Sequence, residues 1–290
     1  MNSNQCILIA DSGSTKTDWV LKQHDGEIRI QSAGLNPFYQ TEKDIAEVLQ
    51  REVLPLVAVP VDAIYFYGAG CADEVSSKPV KDALTGCFRS AGIVEVASDM
   101  LGASRGLCGD EPGLACILGT GANNAVYNGR YNVRSIGSLG FWLGDEGSGS
   151  YLGKTLVVHF LQNELPDDLK ALFSQSFPEL NRLSVLESAY KKPFPNRYFA
   201  TFTRFIGAHL SHPFMEQLVG KAFDAFLEKY VLKHPESKTY PVSFAGSIAF
   251  HFSTVLESRA ESKGLKVGKI LKSPMEGLVE YHSRIETKES

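Results

Sequence analysis

The chain has 290 residues, of which 43% are hydrophobic and 21% charged, and its formal net charge is −4 at pH 7. This length favours about two domains with a large core. The mildly acidic balance excludes a general affinity for nucleic acid or acidic membranes, and no stretch is long and apolar enough to predict a membrane-spanning helix. Because residues 1–5 lack the basic and apolar regions of a signal peptide, we expect a cytoplasmic protein.

The cysteines do not indicate a disulfide framework or a metal site. They are odd in number, widely spaced and contain no C-x-x-C pair: Cys6, Cys71, Cys87, Cys108 and Cys116. Disulfides are rare in the cytosol, so we expect reduced thiols that are mostly buried. The spacing gives little support to zinc or an iron–sulfur cluster.

A glycine-threonine turn near the N-terminus is the most informative local feature. Residues 7–10 predict a buried strand, residues 11–17 read Asp-Ser-Gly-Ser-Thr-Lys-Thr, and apolar residues resume at 19–21. Backbone amides and hydroxyls in such a turn can bind phosphate, and the carboxylate of Asp11 can hold Mg²⁺ through water. The alternative is a polar hairpin loop without a ligand.

The spacing in this turn differs from that of other phosphate loops. It matches neither G-x-x-x-x-G-K-[ST] nor G-x-G-x-x-G. Asp25-Gly26 then separates two runs that contain apolar residues, which predicts a tight hairpin and a third strand. We therefore expect phosphate at a β-hairpin rather than at a helix N-terminus. Asn36 follows soon after and, read alone, is a turn asparagine.

An α/β pattern comes next along the chain. The predicted helices are residues 42–53 and 79–91, and the predicted strands are residues 63–67 and 93–97. Pro79 stands at a plausible first helical position. The first strand leads into Gly68-Ala69-Gly70, and the second ends at Asp99. A carboxylate at a strand C-terminus in an α/β fold points toward bound ligand and can act as a general base. The alternative role for Asp99 is a helix N-cap.

The first pattern recurs about 110 residues later, which is a domain-scale period. Residues 114–118 are apolar, Gly119-Thr120-Gly121-Ala122-Asn123-Asn124 forms a second turn, and Asn128-Gly129 marks a further tight turn. The same features occur in the same order, which indicates an internal duplication. Two such hairpins that face each other could hold one triphosphate from both sides.

A second dense segment covers residues 140–150 and reads Gly-Phe-Trp-Leu-Gly-Asp-Glu-Gly-Ser-Gly-Ser. Its adjacent acids can accept hydrogen bonds from vicinal hydroxyls of a sugar, and its aromatic rings can pack on the apolar face of a sugar ring. The alternative is a solvent loop that caps the next helix, although two aromatic residues argue against full exposure.

The remainder of the chain is predicted to be mostly helical. The predicted helices are residues 151–162, 183–190, 199–209, 214–232 and 248–258, with a final helix after Pro274. Residues 242–244 predict the last clear strand. It leads into Gly246-Ser247, where a bare backbone could let a nucleotide base or ribose approach, or where the chain simply makes a tight turn into a helix.

Taken together, these segments resemble the acetate kinase/sugar kinase/hsp70/actin superfamily, and within it the N-acetylglucosamine kinase-like branch of the BadF/BadG/BcrA/BcrD ATPase family. The matching segments are residues 7–17, 98–104, 117–124, 140–150 and 242–247. The resemblance implies an α/β fold of two ribonuclease-H-like (actin-like ATPase) domains flanking a nucleotide- and sugar-binding cleft. We place the domains at residues 1–112 and 113–273, with the tail 274–290 packing back on the first.

The resemblance also implies roles for individual residues. Asp11 would hold Mg²⁺ through water, and Asp99 would be the general base that takes a proton from a sugar hydroxyl, most plausibly O6. The nucleotide-binding residues would be Gly13, Ser14, Thr15, Lys16, Gly119, Thr120, Gly121, Gly246 and Ser247. The substrate-binding residues would be Asn36, Gly70, Asp99, Ala122, Asn123, Gly140, Phe141, Trp142 and Asp145.

The leading hypothesis is therefore an ATP-dependent sugar kinase that uses ATP and Mg²⁺ and phosphorylates an amino sugar, foremost N-acetylglucosamine. Glucosamine or a muramic acid derivative remains an alternative substrate. We expect no nucleic-acid or membrane partner, and a homodimer is an open alternative to a monomer. Two other functions stay open: an ATPase activator of an iron–sulfur dehydratase or reductase, and a non-catalytic sugar or nucleotide sensor. The activator is disfavoured because no cysteine follows Cys116.

Overall fold

The computed structural model describes the backbone of residues 5–13 and 15–288, and the side chains of those residues as far as Arg284. The chain divides into two compact units. The first consists of Met1–Glu111, Tyr127–Asn132 and Ser273–Ser290, and the second of Pro112–Val126 and Val133–Lys272.

The described strands, in chain order, are β1 (Ile7–Ser12), β2 (Lys16–Gln23), β3 (Gly26–Ala33), β4 (Ala63–Gly68), β5 (Ile93–Ser98), β6 (Pro112–Leu118), β7 (Ala122–Asn128), β8 (Asn132–Arg134), β9 (Val242–Ala245) and β10 (Val267–Leu271). The described helices are α1 (Glu42–Val48), α2 (Glu74–Cys87), α3 (Asp99–Cys108), α4 (Gly140–Leu143), α5 (Gly149–Leu161), α6 (Asp167–Ser176), α7 (Arg182–Tyr190), α8 (Pro195–Ala200), α9 (Thr203–Ala208), α10 (Pro213–Lys229), α11 (Ser247–His251), α12 (Ser253–Ser262) and α13 (Met275–Lys288).

The two sheets share one strand order. The first runs β3-β2-β1-β4-β5, and the second, read from its β8 edge, runs β8-β7-β6-β9-β10. In the first sheet β1 to β3 form antiparallel hairpins, whereas β4 and β5 lie parallel to β1. In the second sheet β9 and β10 lie parallel to β6. Each half of the duplication therefore adopts the same order, which confirms the repeat inferred from the two turns.

Both faces of the first sheet are covered, because successive strand residues point to opposite faces. Leu8 and Ala10 of β1 join a buried cluster with residues of α1 and α2. Ile7 and Ile9 join another cluster with residues of α13, such as Leu278. A strand that is buried on both faces reads as a continuous apolar run, which is why residues 7–10 were recognisable as a strand.

The helix predicted at residues 79–91 begins five residues earlier, at Glu74. Asp73 accepts a hydrogen bond from the Ser76 amide, and the Ser76 hydroxyl receives one in return from the Asp73 amide. This capping box satisfies free amides at the helix start, and Pro79 lies inside the helix instead of opening it. The prediction of Pro79 as the first helical residue was wrong.

Other boundaries also differ from the predictions. The helix expected at 248–258 is two helices, α11 and α12, because the buried Phe252 adopts a non-helical backbone conformation (φ −112°, ψ 24°) between them. The helix expected at 199–209 is likewise divided into α8 and α9. Residues 242–244 are not the last strand: β10 follows, and its mixed burial hid it from pattern analysis.

Residues 127–132 group with the first unit. The sequence-based boundary between residues 112 and 113 would have placed them in the second domain. The Tyr127 hydroxyl donates to the Gly109 carbonyl at 3.1 Å. Gly129, at φ +94°, lies so close to the Asp110 carbonyl that a side chain there would collide with it. These contacts tie the β7–β8 connection to the end of α3.

The second unit is rich in helices, and its core joins β6, β7 and β9 to residues of α5, α6, α10 and α12. Phe173, Phe202 and Phe205 form part of an aromatic group within this core, with ring centroids 5.0–5.9 Å apart along the Phe173 contacts. None of the helices in the described part of the chain combines the length and apolar character needed to cross a lipid bilayer.

Candidate active site

The first glycine-threonine turn connects β1 to β2. The Gly13 amide donates to the Lys16 carbonyl at 3.0 Å, and the Gly34 amide donates to the Thr15 carbonyl at 3.2 Å. Thr15 and Lys16 are exposed, whereas Ser14 lies outside the described residues. The nearest described atom to a Cβ at Gly13 would be 3.8 Å away, so packing within the unit does not require this glycine. Its bare backbone is therefore open to a close ligand.

Lys16 of this turn already has an anionic partner. Its ammonium lies 3.0 Å and 2.7 Å from the two carboxylate oxygens of Asp18, and Gln31 donates to the same carboxylate. The ion pair is exposed and therefore weak. A phosphate could compete for this lysine, but the structure places the ammonium against Asp18.

Two carboxylates lie at the carboxyl-terminal ends of strands in the first sheet. Asp11 is in β1 and accepts from the Ser273 hydroxyl at 3.3 Å, and Asp99 directly follows β5. Burial, then the charges of Asp99 and Asp18, raise the pKa of Asp11 to about 7. Burial also raises the pKa of Asp99, against a hydrogen bond from the Met100 amide. These acids are close enough to repel each other, and a cation would relieve that repulsion.

The donor set fits Mg²⁺ that arrives with phosphates. Within residues 5–13 and 15–288, no three or more His, Cys, Asp or Glu side chains are grouped so that they could hold a metal by themselves. Mg²⁺ keeps several waters and commonly binds through one or two carboxylates plus substrate phosphates. Asp11 meets that need, because burial and the neighbouring acids raise its pKa more than the charge of Lys16 lowers it, and a cation would offset that imbalance.

Two roles were considered for Asp99, a general base and the N-cap of the following helix. The structure assigns the N-cap to the preceding residue. The side chain of Ser98, not that of Asp99, caps α3 by accepting from the Leu101 amide at 3.2 Å. Asp99 is the first residue of the helix, and its carboxylate accepts from the amide of Met100 at 2.7 Å. The N-cap interpretation of Asp99 was wrong, although its carboxylate does satisfy one amide in the first turn of α3.

Asn36 and Gly70 meet beside these acids. Asn36 accepts from the Phe38 amide at 2.9 Å through its side-chain oxygen, and that oxygen occupies the space where a side chain on Gly70 (φ +85°) would lie. The charge of Asp99 contributes to the raised pKa of Cys71, after burial, so Asp99 lies near the same loop. The first unit therefore brings Asn36, Gly70 and Asp99 together.

The second glycine-threonine turn connects β6 to β7 and is braced by α5. The carbonyls of Gly119 and Thr120 accept from the amides of Gly149 and Ser150 at 2.8 Å and 3.1 Å. Those amides belong to the first turn of α5, where donors have no partner inside the helix. A Cβ at Gly119 would meet no described atom within 4 Å, so this backbone is also open.

Asp145 lies against the second turn. Its carboxylate accepts from the Ser138 hydroxyl and from the Ala122 amide at 3.4 Å, and a Cβ at Gly121 would be 3.1 Å from it. The side chain is buried, and its φ of 59° is uncommon for a residue with a side chain. Such backbone strain is often found at functional sites. Ala122 and Asp145 are thus brought together in the second unit, whereas the side chain of Asn123 accepts from the Asn124 amide at 2.9 Å.

Glu146, the neighbouring acid, serves a different purpose. Burial would raise its pKa, but the Lys229 ammonium and the Tyr230 hydroxyl outweigh that effect, so the pKa of Glu146 lies below its ordinary value. The Tyr230 hydroxyl donates to it at 2.7 Å. Both carboxylate oxygens are therefore engaged with α10 and its end, which explains why adjacent acids here differ in role.

The aromatic residues of α4 stack on aromatic rings of α7 and α8. Phe141 stacks on Phe199 with ring centroids 5.5 Å apart, and Trp142 stacks on Tyr190 at 5.6 Å with an interplanar angle of 16°. Gly140 has φ +72° and precedes them. Trp142 is 54% exposed, so one face of its indole is available to a ligand.

Gly246 joins the second turn from another strand. It follows β9 with φ +121°, and a side chain there would collide with the Leu118 carbonyl and lie 3.1 Å from the Gly119 amide nitrogen. Its carbonyl accepts from the Phe250 amide at 3.0 Å. Ser247 is exposed at the start of α11. Gly246 and Gly119 are therefore close in space although they are far apart in the sequence.

Sequence reasoning missed three hydroxyls in these sites. Ser12 bridges the end of β1 to the Leu35 backbone, Ser138 donates to Asp145, and Ser273 donates to Asp11. Ser12 lies in the matching segment 7–17, but no role was expected for its hydroxyl. Serine is common in loops, so Ser138 and Ser273 gave no indication of their partners.

Comparisons with known proteins bear on this arrangement. No family model and no curated protein matches the chain. Among solved structures, a proposed N-acetylglucosamine kinase from Porphyromonas gingivalis is 44% identical, with a TM-score of 0.91 over 95% of this chain and 98% of that one.

Two other solved structures show the same fold at low identity. A proposed N-acetylglucosamine kinase from Chromobacterium violaceum is 18% identical, with a TM-score of 0.68 over 96% of this chain and 99% of that one. A ROK family glucokinase from Streptomyces griseus, in complex with glucose and AMPPNP, is 14% identical, with a TM-score of 0.54 over 94% and 97%. The expected α/β fold of actin-like ATPase type is thereby confirmed. On its identity to the Porphyromonas gingivalis protein, the chain belongs to that protein's family, the N-acetylglucosamine kinase-like sugar kinases.

Proposed function

We propose that this sugar kinase, a member of the BadF/BadG/BcrA/BcrD ATPase family, transfers the γ-phosphoryl group of ATP to O6 of N-acetylglucosamine. The relative that is 44% identical over nearly the full length of both chains is itself a proposed N-acetylglucosamine kinase, which supports the choice of sugar. We further propose that the reaction takes place in the cytoplasm, where disulfides are rare; none of the five cysteines, all within the described residues, is paired in a disulfide.

The observation that carries the proposal is the pair of carboxylates at the ends of β1 and β5. Phosphoryl transfer to a hydroxyl needs a group that orients the nucleophile and accepts its proton, and a metal that neutralises phosphate charge. Asp99 suits the first task because it is not the N-cap of α3 and its pKa is raised by burial, which makes it a better base. Asp11 suits the second task.

The other residues bind and orient in this proposal. The open backbone at Gly13 and Gly119, with Thr15, Lys16, Thr120, Gly121, Gly246 and Ser247, would bind the nucleotide. Bound Mg²⁺ would reduce the negative charge on the phosphates, and Asp11 would hold it through water. Asp145 would accept from sugar hydroxyls, while Asn36, Gly70, Ala122, Asn123 and the α4 segment Gly140–Trp142 would shape the sugar pocket.

The experiment is a coupled assay of ADP release with N-acetylglucosamine, glucosamine, N-acetylmuramic acid and glucose as acceptors. We expect N-acetylglucosamine to give the highest kcat/KM. The 6-deoxy analogue of N-acetylglucosamine should inhibit competitively without turnover, and ³¹P–¹H correlation should place the product phosphate on C6. ADP release with the 6-deoxy analogue at the normal rate would contradict transfer to O6, and no stimulation by any of the sugars would contradict the kinase assignment.

A further inference from the structure

A chain of polar side chains, three of them buried and one partly exposed, connects the helix that carries Asp99 to the C-terminal helix. It consists of Glu95 in β5, Arg105 in α3, Tyr67 in β4 and His282 in α13, and we call it the Arg105 network. All four residues belong to the first unit. Arg105, Tyr67 and His282 are buried, and none of the four has a role in the proposed reaction.

The hydrogen bonds of the network link its four residues in series. One terminal nitrogen of Arg105 donates to Glu95 and to the Tyr67 hydroxyl, each at 2.6 Å. The Tyr67 hydroxyl lies 2.8 Å from Nε2 of His282, within hydrogen-bond distance. Because a tyrosine hydroxyl can accept as well as donate, this bond joins the two side chains in either neutral tautomer of His282.

His282 is held in its neutral state. Burial, together with the Arg105 guanidinium, lowers the pKa of His282 to about 3, so the imidazole is neutral. Its ring stacks on Tyr65, with centroids 3.7 Å apart and an interplanar angle of 22°. Charge-assisted hydrogen bonds from a buried guanidinium fix geometry more firmly than exposed ion pairs do.

Glycine residues allow α3 to pack closely against the same elements. A Cβ at Gly102 would lie 2.7 Å from Cβ of Tyr67, and a Cβ at Gly106 would lie 2.7 Å from Cβ of Pro274, just before α13. Gly277 of α13 in turn lies directly against the Gly106 backbone. The two glycines therefore set how closely α3 packs against β4 and the start of α13, and Arg105 fixes the rotation of the helix.

We infer that Tyr67, Arg105 and His282 are positioning residues, which place the carboxylate of Asp99 by holding the helix that begins with it. This inference rests on the proposed role of Asp99 as general base. Asp99 accepts a hydrogen bond only from its own helix among the bonds described, through the Met100 amide. Any rotation or shift of α3 therefore moves the carboxylate directly, and misplacement by about 1 Å can cost on the order of 100-fold in rate.

The test is a double-mutant cycle between Tyr67→Phe and Asp99→Asn. Tyr67→Phe keeps the ring that packs on Gly102 and removes only the hydroxyl. We expect it to lower kcat roughly tenfold with the KM for ATP unchanged, and to have less than about a twofold effect once Asp99 is Asn, because coupled residues are not additive. His282→Phe, which keeps a ring beside Tyr65, should show the same coupling at smaller size.

The matched control is Ile64→Val, on the opposite face of β4. Ile64 is fully buried in the other cluster of the first unit and makes no side-chain hydrogen bond. It should lower the stability of the unit while leaving kcat within about twofold of the native value. An equal fall in kcat from Tyr67→Phe in both Asp99 backgrounds would overturn the positioning role alone. Native turnover by Asp99→Asn would overturn the proposed function as well.

Discussion

The two glycine-threonine turns have the same place in sheets of the same strand order, yet their surroundings differ. The first turn is flanked by acids whose pKa values are raised, Asp11 and Asp99. The second turn is braced by the first amides of α5 and by Asp145, which is held by Ser138 and Ala122.

This difference suggests a division of labour between the halves of the duplication. A site that concentrates like charges is destabilised until a cation or substrate arrives, and it is suited to chemistry. A site whose groups are already hydrogen-bonded is preorganised, and it is suited to holding a ligand in place. The following substitutions test whether the two turns differ in this way.

Gly246→Ala should have the largest effect, because it damages the second turn itself. Its φ of +121° disfavours a side chain, and the added Cβ would collide with the Leu118 carbonyl. We expect a loss of roughly 3 kcal/mol in the free energy of unfolding, measured by urea denaturation, and a loss of ATP binding.

Gly264→Ala is the control for backbone strain alone. Gly264 also has a positive φ, of +74°, but no described atom lies within 4 Å of the added Cβ. It should cost only about 1 kcal/mol. Equal losses for the two variants would contradict the tight contact between Gly246 and the second turn.

Asp11→Asn should separate activity from stability in the first turn. We expect kcat to fall by about 100-fold or more, because the carboxylate proposed to hold the metal is lost. Asp25→Asn is a control at the other end of the β1–β3 hairpins, where the carboxylate is exposed, and it should retain native kcat. Similar kinetics for both variants would contradict the assignment of Asp11.

Asp11 should favour activity but lower the thermal stability of the apo protein at neutral and higher pH. The pKa of Asp11 is about 7 in the folded protein and about 4 in an unfolded chain. Its contribution to stability is therefore full below about pH 4 and is lost as the pH rises to about 7. Thermal unfolding at pH 5 and pH 8 should show a smaller loss of Tm for Asp11→Asn than for the native protein.

Asp145→Asn should affect the sugar rather than the nucleotide. Loss of a charged acceptor typically costs about 1.5–3 kcal/mol, so we expect kcat/KM for the sugar to fall by roughly 10- to 100-fold with the KM for ATP nearly unchanged. Glu146→Gln is the neighbouring control. Because Glu146 is engaged by Lys229 and Tyr230, it should lower Tm and leave the KM for the sugar unchanged.

Trp142→Leu should have the smallest effect. It removes an indole that stacks on Tyr190 through one face and is otherwise exposed to a ligand. A ring-stacking contact is worth about 0.5–1.5 kcal/mol. We expect the KM for the sugar to rise a few fold, as measured by steady-state kinetics. An unchanged KM would remove Trp142 from the proposed pocket.

Much of this arrangement could be predicted from the sequence because it depends on local signals. The apolar run at 7–10 indicated a buried strand, and the similar turns at Gly13 and Gly119 indicated the repeat. Helix starts were less accurate, because the capping box at Asp73 overrides the usual preference for proline in the first turn. No local pattern indicated that Ser98, rather than Asp99, caps α3.

Contacts between distant residues could not be predicted in the same way. The approach of Gly246 to Gly119, and the network that joins Arg105 to His282, depend on packing between elements that are far apart in the chain. Asp145 could be singled out by its glycine-rich setting, but its left-handed backbone and its bond to Ser138 could not.

The most direct test of the central claim, that the carboxylates of the first unit perform the chemistry, is phosphoryl transfer from ATP to N-acetylglucosamine by Asp99→Asn. The account predicts that kcat falls by about 10²- to 10⁴-fold, the usual contribution of a general base, while calorimetry shows sugar binding close to that of the native protein. Turnover at the native rate by this variant would contradict the account.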